Sequence, residues 1–110
     1  MSYSVIATNP FQKEAKKLAR KYHSLRGELE ALGEELADNL TTGTPLGHDL
    51  YKIRLAIASK DKGKSGGARV ITCVRVIQEK VYLVSIYDKS QLENLSKQHI
   101  RELLLKEGLG

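Results

Sequence analysis

Lys52 and Arg54 alternate along one apolar stretch, Arg69 and Arg75 lie on a second, and Tyr87 and Lys89 close a third. Between the first two stretches runs Ser59-Lys60-Asp61-Lys62-Gly63-Lys64-Ser65-Gly66-Gly67, which is rich in lysine and glycine. Cations in this number suit phosphate chemistry. Cutting a phosphodiester requires neutralisation of the charge that grows on phosphorus, a base for the 2′-hydroxyl and an acid for the leaving oxygen. Arginine offers a permanently charged, bidentate donor, and lysine among other cations loses its proton readily enough to act as a base. The plainer reading is a solvated turn, with Arg69 and Arg75 in surface ion pairs.

Other chemistries lack their residues. The three histidines stand far apart at 23, 48 and 99, with no zinc spacing, HExxH, P-loop or GxSxG. The carboxylates gather along one helix-like segment at surface spacing, not as a two-metal site. No metal and no cofactor are expected. Cys73, in phase with Ile71 and Ile77, reads as a small buried hydrophobe.

Charge is segregated along the chain, whose formal net charge is +5. Residues 1–26 hold six Lys and Arg against one acid, residues 27–50 none against six, and residues 51–80 eight against two. Basic segments of this kind suggest a polyanionic partner, although a wet helix face explains part of the pattern. At 110 residues the chain is expected to form a single domain, 1–110, around one core of Leu, Ile, Val and Ala. No run of about 18 apolar residues occurs, and the first residues do not read as a secretory signal, so a soluble cytoplasmic protein away from membranes is expected.

The elements that must carry these residues follow from periodicity. Residues 3–7 read as a strand, and Asn9-Pro10 as the N-cap and first residue of a helix. In that helix Phe11, Ala15, Leu18, Ala19 and Tyr22 make the apolar face, while Lys13 and Lys17 stand among the cations on the others, as RNA contacts or simply as its wet side. Ser24 is placed to cap a second helix with a stripe of Leu25, Leu29, Leu32, Leu36 and Leu40 and an acidic outer side, giving a hairpin of complementary charge. Residues 41–47 are turn-forming. Alternation over 51–58, a β-branched run over 68–78 and another over 81–87 predict three strands, the last two as a hairpin. Ser96 is placed to cap a final helix with Ile100, Leu103 and Leu104 inward, stopping at Gly108. The expected order is β-α-α-β-β-β-α, an α+β fold with the helical hairpin packed on a mainly antiparallel, twisted sheet. In such a meander the start of the second strand adjoins the end of the third. This gathers Lys60, Lys62, Lys64, Arg69, Tyr87 and Lys89 toward one edge.

The runs Lys52-Ile53-Arg54, 60–71 and 81–90 resemble the RelE/ParE toxin superfamily, most closely its HigB-like toxins, over nearly the whole chain. The resemblance implies a small RelE-like fold. It also implies the toxin of a type II toxin–antitoxin system, a metal-independent, ribosome-dependent mRNA endoribonuclease that inhibits translation. Its expected partners are the ribosome, mRNA and a cognate antitoxin, a helix-turn-helix DNA-binding protein. By the resemblance, Arg69 matches the arginine that opens the central strand and holds the scissile phosphate. Lys60, Lys62 and Lys64 fall where relatives bind substrate or move protons, and Lys89 matches a basic position after the last strand. Lys52, Arg54, Arg75, Lys13 and Lys17 are expected to contact RNA. No tyrosine follows Lys89, so Tyr87 stands as the aromatic acid or stacking residue. Some relatives use a C-terminal histidine, which makes His99 a possible acid or base; a solvated imidazole in the first helical turn is the alternative. Two other functions share the fold: a ParE-like inhibitor of DNA gyrase without nuclease activity, and a non-catalytic RNA-binding module.

Overall fold

The structure, a computed structural model, describes residues 3–60, 66–92 and 94–110. Strand β1 (Ser4–Ala7) leads into helices α1 (Asn9–Lys21) and α2 (Leu25–Asp38). Strands β2 (Thr44–Gly47), β3 (Leu50–Leu55), β4 (Ala68–Arg75) and β5 (Lys80–Asp88) follow, and helix α3 (Lys97–Lys106) closes the order. The five strands form one sheet in the order β1-β5-β4-β3-β2, antiparallel except for β1 on β5. The fold class is the expected one, with one strand more.

That strand is β2, where the sequence reads as a turn. It pairs antiparallel with β3 through a two-residue connection, His48-Asp49, both at positive φ (53° and 65°). Two successive left-handed residues match the twist of a β-hairpin, and Asn-Gly or Asp-Gly is the usual sequence signal. His-Asp lacks that signal. A second difference lies at β4, which ends at Arg75; Ile77 is 99% exposed in the connection to β5 instead of sharing the face of Ile71 and Cys73. Glu79 takes φ +55° there, so the chain has left the strand before β-propensity does. Likewise β3 stops at Leu55 and a 3₁₀ turn, Ala58–Lys60, follows.

Caps explain the helix limits. Thr8, not Asn9, caps α1: its hydroxyl accepts from the Phe11 N–H at 3.4 Å, and Pro10 still sits in the first turn, where its missing N–H costs nothing. Ser24 precedes α2, but its hydroxyl bonds Glu28 and Ser59 and caps no N–H of the helix. Ser96 caps α3 through the His99 N–H at 3.1 Å. Gly108, at φ +71°, ends it: the Leu109 N–H reaches the Leu104 carbonyl and the Gly108 N–H that of Leu105. This double bond pattern needs a left-handed residue at the glycine position.

Strand alternation sorts the interior into two clusters. On one face Ile53, Val70, Val74, Val81, Leu83 and Ile86 pack beneath α1 and α2, with Phe11, Leu25, Leu32 and Leu36. Leu25 and Leu36 are fully buried, each stabilising by about 1.5–3 kcal/mol. On the other face Ile71, Cys73, Val84 and Tyr87 pack with Ile100, Leu103 and Leu104 of α3. The anticipated charge pairing of the hairpin is not seen: among the described residues no ion pair joins α1 to α2. Apolar burial holds the helices instead. No helix is long and apolar enough to cross a membrane among the described residues.

Candidate active site

The register of β3, β4 and β5 places Arg54 opposite Arg69, and Arg69 opposite Tyr87. Directly opposed residues hold their Cβ atoms about 4.5–5.5 Å apart, so these three side chains form a row across one end of the sheet. The row stands on the α3 face, because Ile53, Val70 and Ile86 take the intervening positions toward the hairpin. One step along the same face, Lys52 is opposite Ile71, and its Nζ donates to Asn94 Oδ1 at 3.2 Å. Like charges opposed across a strand pair repel. A phosphate set between Arg54 and Arg69 is attracted by both guanidinium groups.

Arg69 is 4% exposed, and one guanidinium nitrogen donates to the Ala68 carbonyl at 3.1 Å. Tyr87 is 8% exposed, with its hydroxyl buried and outside full hydrogen-bond geometry to any described group. Burial pushes the phenol pKa above its ordinary value, an effect that the Leu95 backbone and the Arg69 charge only partly offset. The phenol therefore keeps its proton at neutral pH. Tyr87 also lines a cleft of about 550 Å³ between α1 and α3, together with Lys13, Leu95, His99, Leu103 and Lys106. A neighbouring groove of about 400 Å³ takes in Tyr87, Lys17, Lys21 and Leu92. Lys13, His99 and Tyr87, far apart in the chain, thus share one concavity. Lys17 is ion-paired with Glu14 at 3.4 Å.

Lys89 lies at the same sheet end: its N–H donates to the Gly67 carbonyl at 3.0 Å, extending the β4–β5 pairing past the strand ends. Gly67 has no room for a side chain, since a Cβ there would come within 2.0 Å of the Leu55 carbonyl oxygen.

Two expected members stand elsewhere. Lys60 turns to the hairpin face, where its Nζ lies 2.5 Å from Asp88 Oδ1 in an ion pair whose side chains are 5% and 3% exposed. Asp88 alternates with Tyr87 and so faces away from the row, and the Lys60 amine is held on that opposite face. Arg75 lies at the far end of β4, 3.7 Å from Asp49 and bonded to the Leu109 carbonyl, so it ties the end of α3 to the sheet. Lys62 and Lys64 lie outside the described residues. Among those residues no group of three or more His, Cys, Asp and Glu side chains is arranged to hold a metal ion. Cys73 is buried, and burial pushes its thiol pKa up, as suits a packing residue.

Sequence reasoning missed Asp88, Tyr22 and Asn94. The phenol of Tyr22 donates to Asp88 Oδ2 at 2.9 Å, and the Ser90 hydroxyl to Asp88 Oδ1 at 2.7 Å. An acid directly after Tyr87 in a basic segment was the available signal; nothing marked Tyr22 as other than an apolar-face residue.

These features define a small α+β protein with a helical hairpin on one face of a five-stranded sheet and a row of cations on the other. A family model described as the RelE toxin of the RelE/RelB toxin–antitoxin system matches residues 4–106, and the chain belongs to that family. Among solved structures it is similar to a double arginine-to-alanine mutant of the Escherichia coli toxin RelE in the free state, at 20% identity and TM-score 0.64, covering 97% of this chain and 98% of that one. It is also similar to a chain of the toxin–antitoxin complex RelBE2 from Mycobacterium tuberculosis, at 16% identity and TM-score 0.57, covering 80% of this chain and 92% of that one. At such identities the likeness establishes the fold.

Proposed function

We propose that the chain is a metal-independent endoribonuclease that cuts mRNA on the ribosome and is held inactive by a cognate helix-turn-helix antitoxin. The observation that supports this reading most is the row Arg54, Arg69 and Tyr87 on a single sheet face, with Lys89 beside it. In the reaction, the 2′-oxygen attacks the adjacent phosphorus, the bond to the 5′-oxygen breaks, and a 2′,3′-cyclic phosphate and a 5′-hydroxyl result. Arg69, assisted by Arg54, neutralises the non-bridging oxygens as charge accumulates on them, so the positive charge comes from side chains. Tyr87, kept protonated by burial, gives its proton to the departing 5′-oxygen. The amine that takes the 2′-proton is assigned to Lys89, at this sheet end, or, by the family resemblance alone, to Lys62 or Lys64. Lys52 and Lys13 hold flanking phosphates, and His99 lines the cleft that receives the neighbouring nucleotide.

The low exposure of Arg69 and Tyr87 supports dependence on a large partner. Free RNA meets a covered row, whereas the ribosome provides binding energy to lift the segment around Leu95 from Tyr87. Expressed without antitoxin, the protein should arrest growth and leave cuts inside translated mRNA, mapped by primer extension; an Arg69→Ala variant should be tolerated. Full toxicity of that variant overturns the proposal. DNA breakage with intact mRNA indicates gyrase inhibition instead, and salt-dependent RNA affinity without cleavage on ribosomes indicates a binding module.

A further inference from the structure

On the hairpin face, under the end of the sheet that carries the row, donors from three segments meet at one carboxylate. Asp88 receives Lys60 Nζ at 2.5 Å and the Tyr22 phenol at 2.9 Å, and both the N–H and the hydroxyl of Ser90, at 2.9 and 2.7 Å. These donors come from the 3₁₀ turn after β3, the residue that ends α1, and the turn after β5. The ammonium of Lys60 lies 5.3 Å from the centre of the Tyr22 ring and 3.4 Å from the Gly67 carbonyl oxygen. That same carbonyl accepts the Lys89 N–H, and Gly67 is seated against the Leu55 backbone. Gly67 is two residues before Arg69, and Asp88 lies between Tyr87 and Lys89.

We infer that Tyr22, Lys60 and Asp88 form a positioning lock for the site: they fix the backbone two residues before Arg69 and between Tyr87 and Lys89 and set the spacing of those groups without touching substrate. The inference rests on the nuclease reading for its role, and the lock itself on geometry. Burial alone raises the pKa of the Asp88 carboxyl, yet the donors from Lys60, Ser90 and Tyr22 outweigh it and hold the carboxyl well below the ordinary range. The Asp88 carboxyl is therefore ionised at neutral pH. A buried pair of this kind is a weak source of net stability but a strong constraint on geometry, because either partner left alone is an uncompensated charge. Catalysis is sensitive to such constraint: displacing a reacting group by about 1 Å can cost roughly a hundredfold in rate.

The test compares the full chain with Asp88→Asn, Lys60→Met and the apolar triple Tyr22→Phe, Lys60→Met, Asp88→Leu. The triple removes the lock without stranding a charge, so it remains folded if the single variants do not. Cleavage is measured on ribosomes programmed with a defined mRNA, and the Tyr87 phenol is titrated by NMR. A positioning role predicts that the triple keeps KM within about twofold and loses at least tenfold in kcat, while the Tyr87 pKa falls toward its ordinary value. Wild-type turnover in the triple overturns the inference, leaving only a structural role. Loss of cleavage in Lys60→Met with full cleavage in Asp88→Asn also overturns it, since Lys60 then acts on RNA itself. Should the wild type cut no RNA, the nuclease reading fails separately, and the Tyr87 titration alone decides: a shifted phenol in the triple upholds the lock and an unmoved one rejects it.

Discussion

Arg69 and Asp88 sit on neighbouring strands one register step apart, yet they serve opposite faces of the sheet. Arg69 joins Arg54 and Tyr87 beneath α3, whereas Asp88 joins Lys60 and Tyr22 beneath the helical hairpin. The first region sets two guanidinium groups opposite each other across β3 and β4. The second closes its charges internally, with donors from Lys60, Tyr22 and Ser90 gathered around one carboxylate. Strand parity decides the face within β5: one residue of offset separates Tyr87, in the row beside Arg69, from Asp88, which holds Lys60 on the other side.

The largest expected effect falls at Arg69. Arg69→Ala should lower cleavage on ribosomes by roughly 10²–10³-fold, the usual cost of removing one donor to a developing anion. Lys60→Met should do the reverse in kind, lowering folding stability by about 3–5 kcal/mol through an unpaired buried carboxylate, read by urea unfolding. Wild-type cleavage by Arg69→Ala erases the contrast.

A pH series sharpens it. Because the folded carboxyl of Asp88 is held below its ordinary 3.8, the unfolded chain binds the proton more readily. Its stabilisation is complete above about pH 5 and is lost as pH falls below 3.8 through the folded value. Asp88→Asn should lack that acid-side slope in urea midpoints measured from about pH 5 downward. A slope of equal size in the variant assigns the acid sensitivity to other carboxylates.

Smaller effects belong to the rim. Lys52→Ala and Lys13→Ala should weaken RNA binding and lower the salt slope of log K by about 0.7 for each phosphate that is no longer neutralised, seen in binding titrations at several salt concentrations. Least of all, Ile77→Ser should change stability by no more than about 0.5 kcal/mol, since that side chain is already in solvent.

Much of the scaffold was legible in the chain. The leucine stripe from Leu25 to Leu36 and the alternation around Ile53 each report a face to be buried, and local periodicity survives in any packing. The Ser96 cap and the Gly108 stop were equally readable, because both depend on backbone groups within one turn. By contrast, β2 was hidden behind a His-Asp connection, and the ends of β3 and β4 ran past their true limits. The gathering of Arg69, Tyr87 and Lys89 at one sheet end follows from antiparallel order alone. Lys60 could not be sorted the same way, since it lies beyond the last paired residue of β3, where alternation no longer dictates a face.

Residue types and spacing thus determined the α+β class, the two helical faces and the cationic edge, because these depend on interactions within a few residues or between successive strands. Only the tertiary structure decided which of those cations stand in the row and which are locked beneath it, since Asp88 meets Tyr22 and Lys60 across separations of 66 and 28 residues. Periodicity carries no information over such distances; packing of the whole chain does.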